Sequence, residues 1–209
     1  MSIAQQFLQL AIKKNVLKLG EFTLKSGRVS PYFFNAGLFD DGQSLQLLGD
    51  YFAQTIAHSG IKFDGLFGPA YKGIPLATTI AVAYYHRYQR NIPVSFNRKE
   101  VKSHGEGGAL MGAPLKGRIL IVDDVVSAGT SVRQSINIIS QAGAEPVAVA
   151  VALDRQEKGE NEHSAMQELA TEFALQTTSI AGLDDLLALL PDNSVEGKRI
   201  TEYRQKYGV

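Results

Sequence analysis

The chain contains no cysteine, which excludes a disulfide framework, a thiolate-held zinc or iron–sulfur centre and a cysteine nucleophile. Neither sign of charge is in excess, since 21 Lys and Arg balance 21 Asp and Glu. Coating nucleic acid needs a surplus of Lys and Arg, so that general role is excluded while a local basic patch is not. Long apolar runs are missing too. The longest, Val147-Ala-Val-Ala-Val-Ala-Leu153, falls far short of the roughly 20 residues that cross a bilayer. The opening Met1-Ser-Ile-Ala-Gln-Gln-Phe7 has no basic segment followed by an apolar one, so no secretory signal is expected and a cytoplasmic protein is. There is no internal repeat, no low-complexity segment and no Pro/Gly/Ser linker. A length of 209 residues points to one large domain that buries a sufficient core without staples.

What is present is an alternation of strand and helix patterns. Apolar spacing predicts an amphipathic helix over residues 2–18 that Gly20 stops. A strand–turn–strand pattern follows over Glu21–Asn35, with Ser26-Gly27 at the turn, and then a helix over 42–58. Strands are expected at Phe63–Phe67, Pro93–Phe96, Arg118–Val122, Pro146–Leu153 and Phe173–Ile180. Helices are expected at Ile74–Tyr88, Ser131–Gln141, Ser164–Glu172, 182–190 and 194–206. The Gly- and charge-rich stretch Arg98–Gly112 has no apolar period and reads as a loop. Continuous apolar strands separated by helices imply a three-layer α/β core with a parallel sheet, roughly residues 60–180. The segments of about 1–40 and 182–209 would form a small hood on it. In such a sheet, ligands bind beyond the carboxyl ends of the strands, which singles out the positions after Phe67, Phe96, Val122 and Leu153.

The strongest chemical signal is Ile119-Leu-Ile-Val-Asp-Asp-Val-Val-Ser-Ala-Gly-Thr-Ser131. A buried strand ends in adjacent carboxylates, Asp123 and Asp124, and the loop Val125–Ser131 then feeds a helix. Backbone N–H groups of such a loop form an anion site, and the hydroxyls of Ser127, Thr130 and Ser131 add donors. Carboxylates beside a phosphate cradle repel a bare anion, so they suit neutral hydroxyls, a metal or a developing positive charge. A ribose 5-phosphate satisfies both halves. An ordinary βα turn also ends in Asp with Ser or Thr as N-cap, but two consecutive Asp after four apolar residues are unusual for one. No Walker loop is present: Gly68-Pro-Ala-Tyr-Lys-Gly73 has the glycine spacing, yet Ile74 stands where Lys is required. Nor does a strand–GxGxxG–helix fingerprint occur.

Val122-Asp-Asp-Val-Val-Ser-Ala-Gly-Thr130 resembles the phosphoribosyl-diphosphate (PRPP) signature of type I phosphoribosyltransferases. Three further segments narrow the resemblance to orotate phosphoribosyltransferases. They are Phe22-Thr-Leu-Lys-Ser-Gly-Arg28 with Ser30-Pro-Tyr-Phe-Phe-Asn35, Asn97-Arg-Lys-Glu-Val-Lys-Ser-His-Gly-Glu-Gly-Gly108, and Leu153-Asp-Arg-Gln-Glu157. These motifs run in order over nearly the whole chain. The family often has Thr where this chain has Ser127, which keeps the hydroxyl and drops a methyl.

The resemblance implies a role for each segment. Gly68–Gly73 becomes the pyrophosphate loop, with Tyr71 and Lys72 against the diphosphate and a non-proline cis peptide at Ala70–Tyr71. Val125, Val126, Ser127, Ala128, Gly129, Thr130 and Ser131 would hold the 5′-phosphate, and Asp123 and Asp124 the ribose hydroxyls. Arg98, Lys99, Lys102 and His104 crowd seven residues that could equally be a solvated charged hairpin. In the family this is a flexible catalytic loop, which closes over the departing diphosphate and reaches into the neighbouring subunit of a homodimer. Lys25 would sit at the reaction centre; Phe33, Phe34, Ser127 and Arg155 would contact orotate. On base rates one of the two Phe rings is core. An Arg such as Arg155 after a buried strand is commonly a surface charge pair worth little, but orotate has a carboxylate that a guanidinium fork matches. Mg²⁺ is the implied cofactor, held mainly by substrate oxygens and water with Asp124 as a protein ligand. Two alternatives stay open: a purine or uracil transferase of the same fold, and a non-catalytic PRPP-sensing regulator.

Overall fold

A computed structural model describes residues 1–24, 27–102, 108–159 and 162–209. Eight strands and seven helices alternate along the described chain. The strands are β1 (Leu17–Thr23), β2 (Val29–Phe34), β3 (Gly65–Gly68), β4 (Val94–Lys102), β5 (Gly108–Gly112), β6 (Arg118–Asp123), β7 (Glu145–Asp154) and β8 (Gln176–Gly182). The helices are α1 (Ile3–Lys13), α2 (Gly42–Ser59), α3 (Gly73–Tyr88), α4 (Thr130–Gln141), α5 (Ala165–Phe173), α6 (Leu183–Leu189) and α7 (Val195–Tyr207). β1 and β2 form a separate antiparallel pair, while the main sheet has the order β5-β4-β3-β6-β7-β8.

Period-two alternation sorts the central side chains into two cores. Leu66, Leu120, Val122, Ala148, Ala150 and Ala152 face one layer, together with Phe7 and Leu8 of α1, Phe52 and Ile56 of α2 and Ile80 of α3. Phe67, Ile119, Ile121, Val149 and Val151 face the other, against Val132, Ile136 and Ile139 of α4 and Leu169 of α5. Strands covered on both faces must be apolar at every position, which is why they read as unbroken runs. α1 belongs to the first of these layers, so the N-terminal part of the hood is the β1–β2 hairpin. That hairpin meets α7, where the rings of Tyr32 and Tyr203 lie 6.4 Å apart.

Three expectations need correction. The first helix ends at Lys13, not at residue 18. Asn15 turns the chain with φ 58°, and Leu17 begins a strand by pairing with Phe34. Gly20 lies inside that strand, where the ladder shifts register between Leu19 and Phe22. Second, Arg98–Gly112 is largely strand: β4 runs on to Lys102, and β5 returns antiparallel with Phe96 opposite Met111 and Asn97 opposite Leu110. A hairpin at a sheet edge is held by backbone bonds and needs no apolar period, so its sequence looked like a loop. The sheet is therefore parallel over five strands with an antiparallel edge. Third, Phe173 closes α5, and the last strand begins at Gln176 after Ala174 takes φ 53°.

Candidate active site

Three loops meet at the carboxyl end of the sheet. The first leaves β3 as Gly68-Pro-Ala-Tyr-Lys-Gly73 and turns back so tightly that a Cβ on Gly68 would lie 2.1 Å from the Gly73 carbonyl oxygen. Only glycine fits. The Ala70–Tyr71 peptide is cis, as the resemblance implied. Tyr71 is exposed, and Lys72 reaches across to Asp124, with Nζ 2.6 Å from Oδ2.

The second loop leaves β6. Asp123 and Asp124 are both buried, and the Asp124 N–H donates to Asp123 Oδ1 at 2.8 Å. Burial, reinforced by the charge of Asp124, pushes the Asp123 carboxyl up to about 7. Ligand hydroxyls can replace the lost water here, which is chemistry that suits a diol more than an anion. The loop ends at Gly129, which takes φ 73° and starts α4. Ser127, Ala128, Thr130 and Ser131 are exposed, and Val125 and Val126 are half-buried. Neither α3 nor α4 has a side-chain N-cap, whereas α1, α2, α5 and α7 are capped by Ser2, Asp41, Ser164 and Ser194. In α3 the first amides are already taken, Gly73 donating to the Pro69 carbonyl and Ile74 to that of Tyr71, so α4 is the site helix that keeps its first amides for a ligand.

The third loop leaves β7. Arg155 is no surface pair: its side chain and that of Glu157 are 11% and 13% exposed. Its Nη2 donates to Glu157 Oε1 at 2.5 Å and to Ser30 Oγ at 3.1 Å. The guanidinium lies 4.3 Å from the Tyr32 ring centroid, and the Tyr32 hydroxyl donates to the same Glu157 oxygen at 3.1 Å. Burial pushes the Tyr32 phenol well above its ordinary range. Ser30, Tyr32 and Phe34 form the inward face of β2. Phe34 packs on Phe7 in the core, while Phe33 is exposed and leans on Phe22 at 5.6 Å. Phe33 is thus the ring of the pair that is free to meet a flat ligand.

On β4, Arg98 is half-buried, and its Nε has no partner among the described residues. Lys99 Nζ stands 4.7 Å from the Tyr71 ring centroid. Lys102 closes β4, with its side chain outside the described residues; Lys25 and His104 lie outside them altogether. Sequence reasoning missed Asn97 as an individual residue, and with it Ser30, Tyr32 and Glu157. The alternation of Ser30 and Tyr32 marks a shared face, but nothing in it reveals that Arg155 lies opposite. A cleft of about 620 Å³ lies at the other end of the sheet, lined by Lys62, Arg118 and Glu145 among others. It gathers no comparable set of groups, so chemistry rather than volume locates the site. Among the described residues, no three His, Asp or Glu form a metal cluster, and no helix is long and apolar enough to cross a membrane.

Residues 36–178 match the phosphoribosyl transferase domain family. The chain is 55% identical over 207 residues to the orotate phosphoribosyltransferase of Thioalkalivibrio sulfidiphilus, covering 98% of this chain and 97% of that one. It is 54% identical to the Saccharophagus degradans orotate phosphoribosyltransferase, with the same coverage. Among solved structures, the Francisella tularensis orotate phosphoribosyltransferase superposes with a TM-score of 0.88 at 40% identity, covering 98% of this chain and all of that one.

Proposed function

The chain belongs to the orotate phosphoribosyltransferase family, and from that premise we propose how its own residues divide the transfer of a 5-phosphoribosyl group from PRPP to N1 of orotate. The products are orotidine 5′-monophosphate and diphosphate, on the way to UMP. The loop Val125–Ser131 and the uncapped start of α4 receive the 5′-phosphate. Asp123 and Asp124 take the ribose hydroxyls and stabilise the positive charge that develops at the anomeric carbon. The single observation that carries this reading is the juxtaposition of that buried acidic pair with the amides of an uncapped helix.

Lys72 and the amides around the cis peptide receive the diphosphate, and Lys72 exchanges Asp124 for that anion when PRPP arrives. Arg98, Lys99, Lys102 and His104 gather round the same leaving group, and Lys25 stands at the reaction centre. Orotate lies between Phe33 and Ser127, with its carboxylate toward Arg155. N1 attacks the face opposite the leaving diphosphate, and no covalent enzyme intermediate is required. Positioning and electrostatics suffice.

The donor set suits a hard cation bound chiefly through ligand oxygens and water, because the described residues offer carboxylates and no three-sided cage. Mg²⁺ would be held there by Asp124 together with PRPP, where it would neutralise diphosphate charge. A second copy of the chain covers the side of α3 on which Val82, Tyr85 and Tyr88 are exposed, and the site is shared between the two subunits. Burial of Arg155 next to the base pocket favours orotate over adenine or uracil, which have no carboxylate.

A spectrophotometric assay of orotate consumption with PRPP and Mg²⁺ tests the reading, run beside a panel of free bases. Lys102→Ala should cut kcat sharply. Near-normal turnover would remove Lys102 from the machinery, and turnover of another base in preference to orotate would overturn the assignment of Arg155.

A further inference from the structure

The chain leaves the main sheet abruptly after β3. Leu66, Phe67 and Gly68 pair in parallel with Val94, Ser95 and Phe96 of β4. Leu66 donates to the Pro93 carbonyl, and alternate residues face the same neighbour, so Ala70 is on the side of β4 while Pro69, which has no N–H, is not. The first N–H beyond it belongs to Ala70, and it donates to Asn97 Oδ1 at 2.8 Å rather than to a backbone carbonyl. Two residues further along β4, Lys99 stands over the Tyr71 ring. Asn97 and Lys99 of β4 thus grip the two sides of the Ala70–Tyr71 cis peptide. The carboxamide is neutral. It can fix a loop beside a polyanion without adding the repulsion that an Asp there would bring. The same strand continues to Lys102, so the loop and the cationic segment are tied to a single element.

We propose that Asn97 is a positioning residue for phosphoribosyl transfer: by accepting the Ala70 N–H it presents the loop Pro69–Lys72 to the diphosphate and couples that loop to the strand bearing Lys99 and Lys102. The inference rests on the reading above that this loop receives the diphosphate. Asn97 touches no substrate. It acts through the backbone it holds.

The test compares Asn97→Ala with Lys72→Met. For each, KM is measured for PRPP and for orotate, together with the inhibition constant of magnesium diphosphate and hydrogen exchange at the Ala70 amide. Asn97→Ala should raise KM for PRPP and the diphosphate inhibition constant about threefold to tenfold, the range expected from one lost hydrogen bond. KM for orotate should stay within about twofold, and exchange at Ala70 should speed up. KM does not depend on the fraction of enzyme that is folded, so the split between substrates is readable even if the variant folds poorly. A merely structural role would lower the yield of active enzyme and leave both KM values alone, which overturns the inference. Equal weakening of orotate and PRPP overturns it too. If Lys72→Met weakens diphosphate and Asn97→Ala does not, Asn97 alone is misassigned. If neither variant affects diphosphate, the reading of the loop falls and the inference falls with it.

Discussion

Replacing Arg155 by Met separates two things that this residue does. Its guanidinium is buried and held by Glu157 and Ser30. A charge-assisted hydrogen bond to a ligand contributes about 1.5–3 kcal/mol, so loss of the orotate contact should raise KM for orotate roughly tenfold to a hundredfold. KM for PRPP should change little. Removal of Arg155 also leaves Glu157 buried beside the Tyr32 hydroxyl, with Arg28 Nη1 4.0 Å away as a remaining cation. Breaking a buried pair costs about 3–5 kcal/mol when nothing else compensates. With Arg28 close by, about 2–3 kcal/mol is the better figure, which at this chain length lowers Tm by about 5–10 °C. The double variant Arg155→Met with Glu157→Gln removes both charges and should recover most of that Tm. Arg28 keeps its bond to the Lys158 carbonyl, at 2.9 Å. Calorimetry and steady-state kinetics on the single and double variants provide the readout. If orotate KM returns to its parental value together with Tm, Arg155 only supports the pocket wall, and its proposed contact with the substrate carboxylate is refuted.

The remaining expectations concern protonation and packing. Asp123 holds its proton to about pH 7 in the folded ligand-free protein, against an ordinary carboxylate value near 4 when unfolded. The folded state thus binds the extra proton between those values, and stability falls as pH rises through that window. Asp123→Asn should therefore raise the Tm of ligand-free protein at pH 8, with a gain that fades toward pH 4; a gain independent of pH would contradict the burial argument. Ser164 caps α5 through the Gln167 N–H at 3.2 Å and is 4% exposed. Ser164→Ala should cost about 1 kcal/mol, or about 2–4 °C in Tm by calorimetry, and leave both KM values unchanged.

Much of this protein was legible as a string. The runs at Arg118–Val122 and Pro146–Leu153 announced buried central strands, because a strand covered on both faces has no room for a polar position. The Asp123-Asp124 pair followed by a glycine and hydroxyls announced the end of one of them. Where the reading slipped, backbone pairing had overruled side-chain pattern. Leu17 became strand because Phe34 was there to pair with it, and the charged stretch after Phe96 became a hairpin because Met111 and Leu110 returned alongside. Neither partner is visible in a local window.

The order of motifs along the chain determined the fold and the chemistry, since hydrophobic period and the donor groups at strand ends are local properties of residue types. Tertiary structure alone decided which distant groups face one another: Lys72 with Asp124, Asn97 with the Ala70 amide, and Arg155 with Glu157, Ser30 and Tyr32. Those pairs are separated by up to 125 residues. Their meeting depends on how the sheet orders its strands and where the hood lies across them, and so does whether a charge such as Arg155 ends up in water or buried against a base.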